Sequence, residues 1–226
     1  MKTAALALAC AVALLAGCGS RGLPPPDWKT NAAGLVERYK KHALLGENAL
    51  AERHFQQAVM ATSGAGRLTE TAKLWLVRCA TRRAMLIDDA CTEYAELAAA
   101  QPDPEDQAYY QFITLRWDNL DVAKLPAQHQ DLVRAPAPKR HDALSRIEDP
   151  LARLLDASLL VMRQEADAAT LALATETASE RGWRQPLLAY LKLQHKLATA
   201  RGDTAALTRL TQRIERVEKS LLPSPK

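Results

Sequence analysis

A helical period runs through nearly the whole chain and is cut into short pieces by glycine and proline. In residues 32–45, Leu35, Tyr39 and His42 recur on one face. In residues 49–62, Leu50, Ala51, Phe55, Ala58 and Val59 do the same. Spacings of three and four mark an amphipathic helix, because 3.6 residues complete each turn. The breaks are brief: Gly46-Glu47-Asn48, then Ser63-Gly64-Ala65-Gly66. Helices joined by such short connections must pack as antiparallel neighbours. No run alternates branched or aromatic residues with polar ones, as a half-buried strand requires. The expectation is an all-α body.

The pattern continues downstream. Residues 70–85 carry Leu74, Trp75, Val77 and Cys79. Asp88-Asp89 introduces a helix over 90–100, which Pro102 and Pro104 close. Residues 105–119 form a fifth helix with Tyr109, Phe112, Ile113 and Trp117. Pro126, Pro136 and Pro138 then lie in a polar stretch that ends near Arg140, read as a loop with at most one helical turn. Pro150 either starts or kinks a helix within 142–163. Residues 167–181 end at Gly182, and residues 185–200 and 205–222 make a final hairpin around Gly202-Asp203. Pro223 and Pro225 leave residues 223–226 as a tail.

The N-terminus has a different character. Lys2 precedes an uncharged apolar stretch over 4–14, followed by Leu15-Ala16-Gly17-Cys18. That layout is a secretory signal. Its apolar run is shorter than the roughly 20 residues needed to cross a bilayer. Leu15-Ala16-Gly17-Cys18 resembles the lipobox of bacterial lipoproteins. The resemblance implies lipid on the Cys18 thiol, cleavage after Gly17 and removal of residues 1–17; the alternative is an ordinary signal peptide. Gly19 follows Cys18 where an aspartate would favour the inner membrane, which points to the outer membrane facing the periplasm. Residues 18–30 then form a tether, made stiff by Pro24, Pro25 and Pro26, and residues 31–222 form the folded body.

The hairpin over residues 72–103 resembles a tetratricopeptide repeat. Trp75 stands at the motif's Trp position, Cys79 and Cys91 at two small-residue positions, Ala95 at the Phe position, Ala98 at a further small one, and Pro102 and Pro104 at the stop, while Arg78 and Arg82 stand where Leu and Tyr belong. Gly46, Ala51, Phe55 and Ala58 repeat part of the pattern, while Tyr39 stands where a small residue belongs. The resemblance implies stacked antiparallel hairpins; an irregular helical bundle is the alternative.

Cys79 and Cys91 are twelve residues apart on the two arms of the proposed hairpin. In an oxidising compartment they are expected to form a disulfide, the alternative being two buried free thiols. Without further Cys or His nearby they fall short of zinc's four ligands, so no metal is expected. His42, His54, His129, His141 and His195 share no ligand spacing and are read as surface or groove residues. No glycine-rich phosphate loop and no nucleophile elbow is present, so neither cofactor nor catalytic residue is expected. Asp103, Glu105 and Asp106 are read as helix-start charges complementing the dipole. A net charge of +4 is too mild to suggest nucleic acid. Tyr110 and Trp117, seven residues apart, share a helical face with Thr114. They are candidates for partner binding, with core packing the rival reading. The functional expectation is a lipid-anchored adaptor touching envelope proteins. The alternatives are a cell-wall enzyme or its accessory, and a carrier with an apolar cavity between helices.

Overall fold

The computed structural model describes residues 25–221; the residues read as a signal segment, a lipobox and a tail lie outside the described residues. The described chain is all-helical: eleven α-helices and two 3-10 turns, with no strand among the described residues. No described helix is long and apolar enough to cross a membrane.

Helices α1 (Asp27–Leu45) and α2 (Asn48–Gly64) form the first hairpin, followed by α3 (Leu68–Ala84) and the short α4 (Thr92–Ala98). Helix α1 begins at Asp27, inside the segment read as tether. Pro26 suits the position just before a helix, and Asp27 places a carboxylate in the positive first turn. Helix α5 spans Pro104–Ile113, shorter than expected. The proline-rich stretch is helical where a loop is expected, carrying α6 (Ala127–Arg134) and α7 (Arg140–Ser145). Pro126 and Pro136 stand just before helical turns and Pro138 lies in the first turn of one, where a missing N–H costs nothing. Then come α8 (Pro150–Met162), α9 (Ala168–Glu180), α10 (Arg184–Arg201) and α11 (Thr204–Leu221).

Aspartate starts the later helices. The Asp103, Asp149 and Asp167 carboxylates accept from backbone N–H groups of α5, α8 and α9, and Asp203 accepts from Ala206 N–H at 2.9 Å. Pro104 and Pro150 follow two of these caps at the first helical position, so Pro150 opens a helix rather than kinking one. Glycines in the left-handed region end α1, α9 and α10 at Gly46, Gly182 and Gly202. Leu86, Leu115 and Gln164 adopt the same conformation after α3, α5 and α8 without being glycine. The paired backbone bonds are the same in both groups. After α8, Gln164 N–H donates to Val161 O and Glu165 N–H to Leu160 O.

Sequence neighbours alone do not make the packing. Helix α3 packs most extensively on α8, far downstream, and α8 leads through α9 to α10. Helix α10 then returns to α1. Arg184 ties this return: its guanidinium donates to Leu45 O at 3.1 Å and to Ser220 O at 2.7 Å, and pairs with Glu47 at 3.3 Å. A Cβ at Gly46 would meet Leu221 Cδ2 at 2.5 Å, so the last turn of α11 rests on the first turn of chain between helices. The last hairpin thus meets the first. The main core joins α3, α5, α6 and α8, with Phe112, Ile113, Leu132, Leu154 and Leu159 fully buried.

Candidate functional site

The least expected polar feature is in that core. His129 is 2% exposed and Asp156 is 0% exposed. Helix α6 supplies the histidine: His129 and Leu132, three apart, are its two buried residues. Helix α8 supplies the aspartate. From Leu154 to Leu160 every residue is buried, and Asp156 is the one ionisable group in that run. His129 Nδ1 lies 2.7 Å from Asp156 Oδ1. With the proton on Nδ1 the ring donates to the carboxylate, and Nε2 is left to accept from the Gln128 side-chain amide at 3.3 Å. The ring packs among Phe112 at 5.0 Å and Tyr109 at 5.8 Å between centroids.

The electrostatics follow from burial. Loss of water drives the Asp156 carboxyl above its usual range, and the hydrogen bond and charge of His129 only partly oppose this. Asp156 Oδ2 has no hydrogen-bond partner among the described residues. Burial likewise holds the Tyr109 phenol protonated well above its ordinary range.

His129, Gln128 and Tyr109 form the wall between two openings. One, of about 180 Å³, is lined by Lys40, Val77, Asp149 and Leu155 together with these three. The other, of about 420 Å³, has Glu105, Asp106 and Lys124 on its rim. The imidazole therefore borders both openings, with Nδ1 held by Asp156 and Nε2 by Gln128. Thr81 lines the smaller opening, and its hydroxyl donates to Val77 O at 2.8 Å. Asp149 is likewise used to cap α8, accepting from Ala152 N–H at 2.7 Å.

The expected site residues fall in separate places. Cys18 lies outside the described residues. Cys79, on α3, and Cys91, just before α4, are buried with their sulfurs at bonding distance and their Cα atoms 5.5 Å apart, within the disulfide range. Cys91 takes a left-handed backbone and its N–H donates to Asp89 Oδ1 at 2.9 Å, which aims its side chain at α3. Asp89 brings a third donor atom within 4.8 Å of both sulfurs. That carboxylate is already engaged by Cys91 N–H and by Arg82 at 2.6 Å, and three donors are one short of a closed zinc site.

Tyr110 and Trp117 do not share a face. Helix α5 ends at Ile113 and Leu115 turns the chain, so the seven-residue spacing spans a bend. Trp117 is buried and its Nε1–H donates to Phe112 O at 2.8 Å. Arg163 and Arg140 sit over its ring at 4.3 and 5.0 Å. Both guanidiniums pair with Glu165. Burial acts to raise the Glu165 carboxyl, but the Arg140 hydrogen bond and charge, then those of Arg163, outweigh it and hold it below its usual range. Tyr110 is half-buried, its ring 4.9 Å from Tyr94 and under Arg116.

His129, read from the sequence as a surface or groove histidine, borders two openings but is buried and paired with Asp156. The only available signal was its spacing from Leu132 in a stretch whose prolines disguised a helix. Comparison with family models, curated proteins and solved structures finds no match for the chain.

Proposed function

We propose that the chain is an exported lipoprotein. It carries lipid on Cys18, is held at the outer membrane facing the periplasm, and its helical body works as an adaptor for envelope proteins. The observation that carries this reading is the meeting of Cys79 and Cys91. A buried pair at disulfide distance is at home in an oxidising compartment, where the lipobox-like Leu15-Ala16-Gly17-Cys18 would send the chain. Two or more acyl chains give durable anchoring, so such a body stays at the surface. The resemblance to tetratricopeptide hairpins supports the adaptor role, since stacked helices offer broad protein-binding faces. Growth with an alkyne fatty acid tests the anchor: the wild type is expected to incorporate the probe and Cys18→Ala to lose it. Cross-linking of the labelled protein in membranes is expected to capture envelope proteins. Incorporation that survives Cys18→Ala overturns the anchor.

A second reading rests on the buried Asp156–His129 pair. Its imidazole borders both openings, and a buried polar group beside a cavity favours a small-ligand carrier. Histidine NMR during a small-molecule screen tests it. Displacement of the His129 resonance by a ligand, lost in His129→Gln, would support it.

A further inference from the structure

Charge is unevenly divided along the chain. Residues 84–115 hold seven carboxylates and no lysine or arginine. Residues 184–221, the α10–α11 hairpin, hold eight lysines and arginines against three carboxylates. The acidic segment packs on α3, whereas α10 packs on α9 and α1, so the two charges belong to different parts of the bundle.

Within the hairpin the basic residues are ordered. Leu210, Ile214 and Val217 turn α11 toward Leu187, Leu191 and Ala198 of α10. On one flank Lys192 pairs with Glu218 at 2.6 Å. On the other, Arg209, Arg213 and Arg216 follow each other at i, i+4 and i+7, all exposed, with no ion-pair partner among the described residues. A cleft of about 270 Å³ lies between α9, α10 and α11, lined by Leu171, Leu197, Ala198, Ala206 and Leu210 together with Arg201 and the helix-capping Asp167 and Asp203. The i, i+3 spacing sets Arg209 beside Ala206 and Arg213 beside Leu210. Leu197 is one of three large apolar side chains exposed among the described residues, at 37%.

We propose that this flank of the hairpin is a docking surface for anionic phospholipid. Arg209, Arg213, Arg216 and Arg201 meet headgroup phosphates, and Leu197 and the cleft face the apolar boundary. A row of unpaired guanidiniums along one helix matches an extended sheet of phosphates better than a single ligand, and arginine binds phosphate through two parallel N–H donors. The acidic segment is repelled by the same surface, so charge segregation orients the body with α4 and α5 turned away. The proposal rests on the reading that the body is held at a membrane, and adds how it lies there.

The test uses the full chain carrying Cys18→Ser, so that no acyl chain contributes, in co-sedimentation with vesicles. Vesicles of phosphatidylglycerol and phosphatidylcholine are expected to bind it at low salt and release it at high salt; pure phosphatidylcholine is expected not to bind. Each basic side chain near such a surface contributes about 1 kcal/mol, so Arg209→Gln/Arg213→Gln/Arg216→Gln should weaken binding about 100-fold. Leu197→Ala should weaken it less. Unchanged circular dichroism of the triple variant confirms that its fold survives. Equal binding by the triple variant, or equal binding to phosphatidylcholine, overturns the proposal. So does salt-sensitive self-association without vesicles that the triple variant abolishes, which would assign the arginines to the acidic segment of a second copy. Loss of fatty-acid labelling with vesicle binding intact would remove the anchor and leave this surface standing.

Discussion

Helices α8 and α11 are both long, regular and leucine-bearing, yet they relate to the bundle in opposite ways. Helix α8 is hidden along seven consecutive residues and carries Asp156 into the centre, while α11 buries only Leu210 and shows its arginines to solvent. A helix buried all round can only be held by its neighbours, so α8 is where stability is concentrated. A helix with one apolar stripe needs one neighbour, and α11 is free to present a surface. Ionic groups follow the same division. The Asp156–His129 pair is desolvated and leaves one carboxylate oxygen without a partner among the described residues, whereas the Glu165 cluster over Trp117 keeps some access to water and has both carboxylate oxygens engaged.

The strongest way to break this comparison is Asp156→Ala. Removing one partner of a buried pair leaves the other orphaned, and a loss of about 3–5 kcal/mol is expected in urea unfolding. Asp156→Asn retains an acceptor for His129 and should cost clearly less. If the two cost the same, volume rather than the hydrogen bond holds the site. Next, Leu159→Ala in α8 should cost about 2–5 kcal/mol globally. Leu210→Ala in α11 should instead speed amide exchange in α10 and α11 while leaving α8 protected. Exchange that speeds equally in α8 would make the hairpin part of the core.

Acid sharpens the contrast. In the folded state Glu165, Asp103 and Asp167 lie below their ordinary carboxylate values. Backbone N–H groups of Asp106 and Thr170 are the largest cause for the two aspartates. A depressed value means stability that is present above the unfolded pKa and lost as pH falls through the folded one. Asp156 is raised, so it has the opposite sign and is relieved by acid. Melting temperature should therefore fall on the acid side of the carboxylate range, and Glu165→Gln should flatten that fall. The smallest effect is expected at Gln164, exposed and in the left-handed region: Gln164→Gly should raise stability by up to about 1 kcal/mol.

The order of helices was legible because glycine and aspartate mark their ends: Gly46, Gly182 and Gly202 close helices where expected, and Asp103 opens one. The turns at Leu86, Leu115 and Gln164 carry no such mark. The Leu115 turn is why Tyr110 and Trp117 read as one face. Proline misled in the other direction over 126–140, where it precedes helices rather than excluding them. The α3–α8 pairing and the Asp156–His129 bond join residues far apart in sequence, and local periodicity holds no information about either. The meeting of Cys79 and Cys91 was legible because it is local, a hairpin's width.

The most direct test of the central claim is mass analysis of the protein extracted from its own membranes, alkylated before and after reduction. An exported lipoprotein predicts a chain that begins at a lipid-bearing Cys18 and takes alkyl groups at Cys79 and Cys91 only after reduction. A chain with an unmodified Cys18 and both other thiols alkylated without reduction would contradict it.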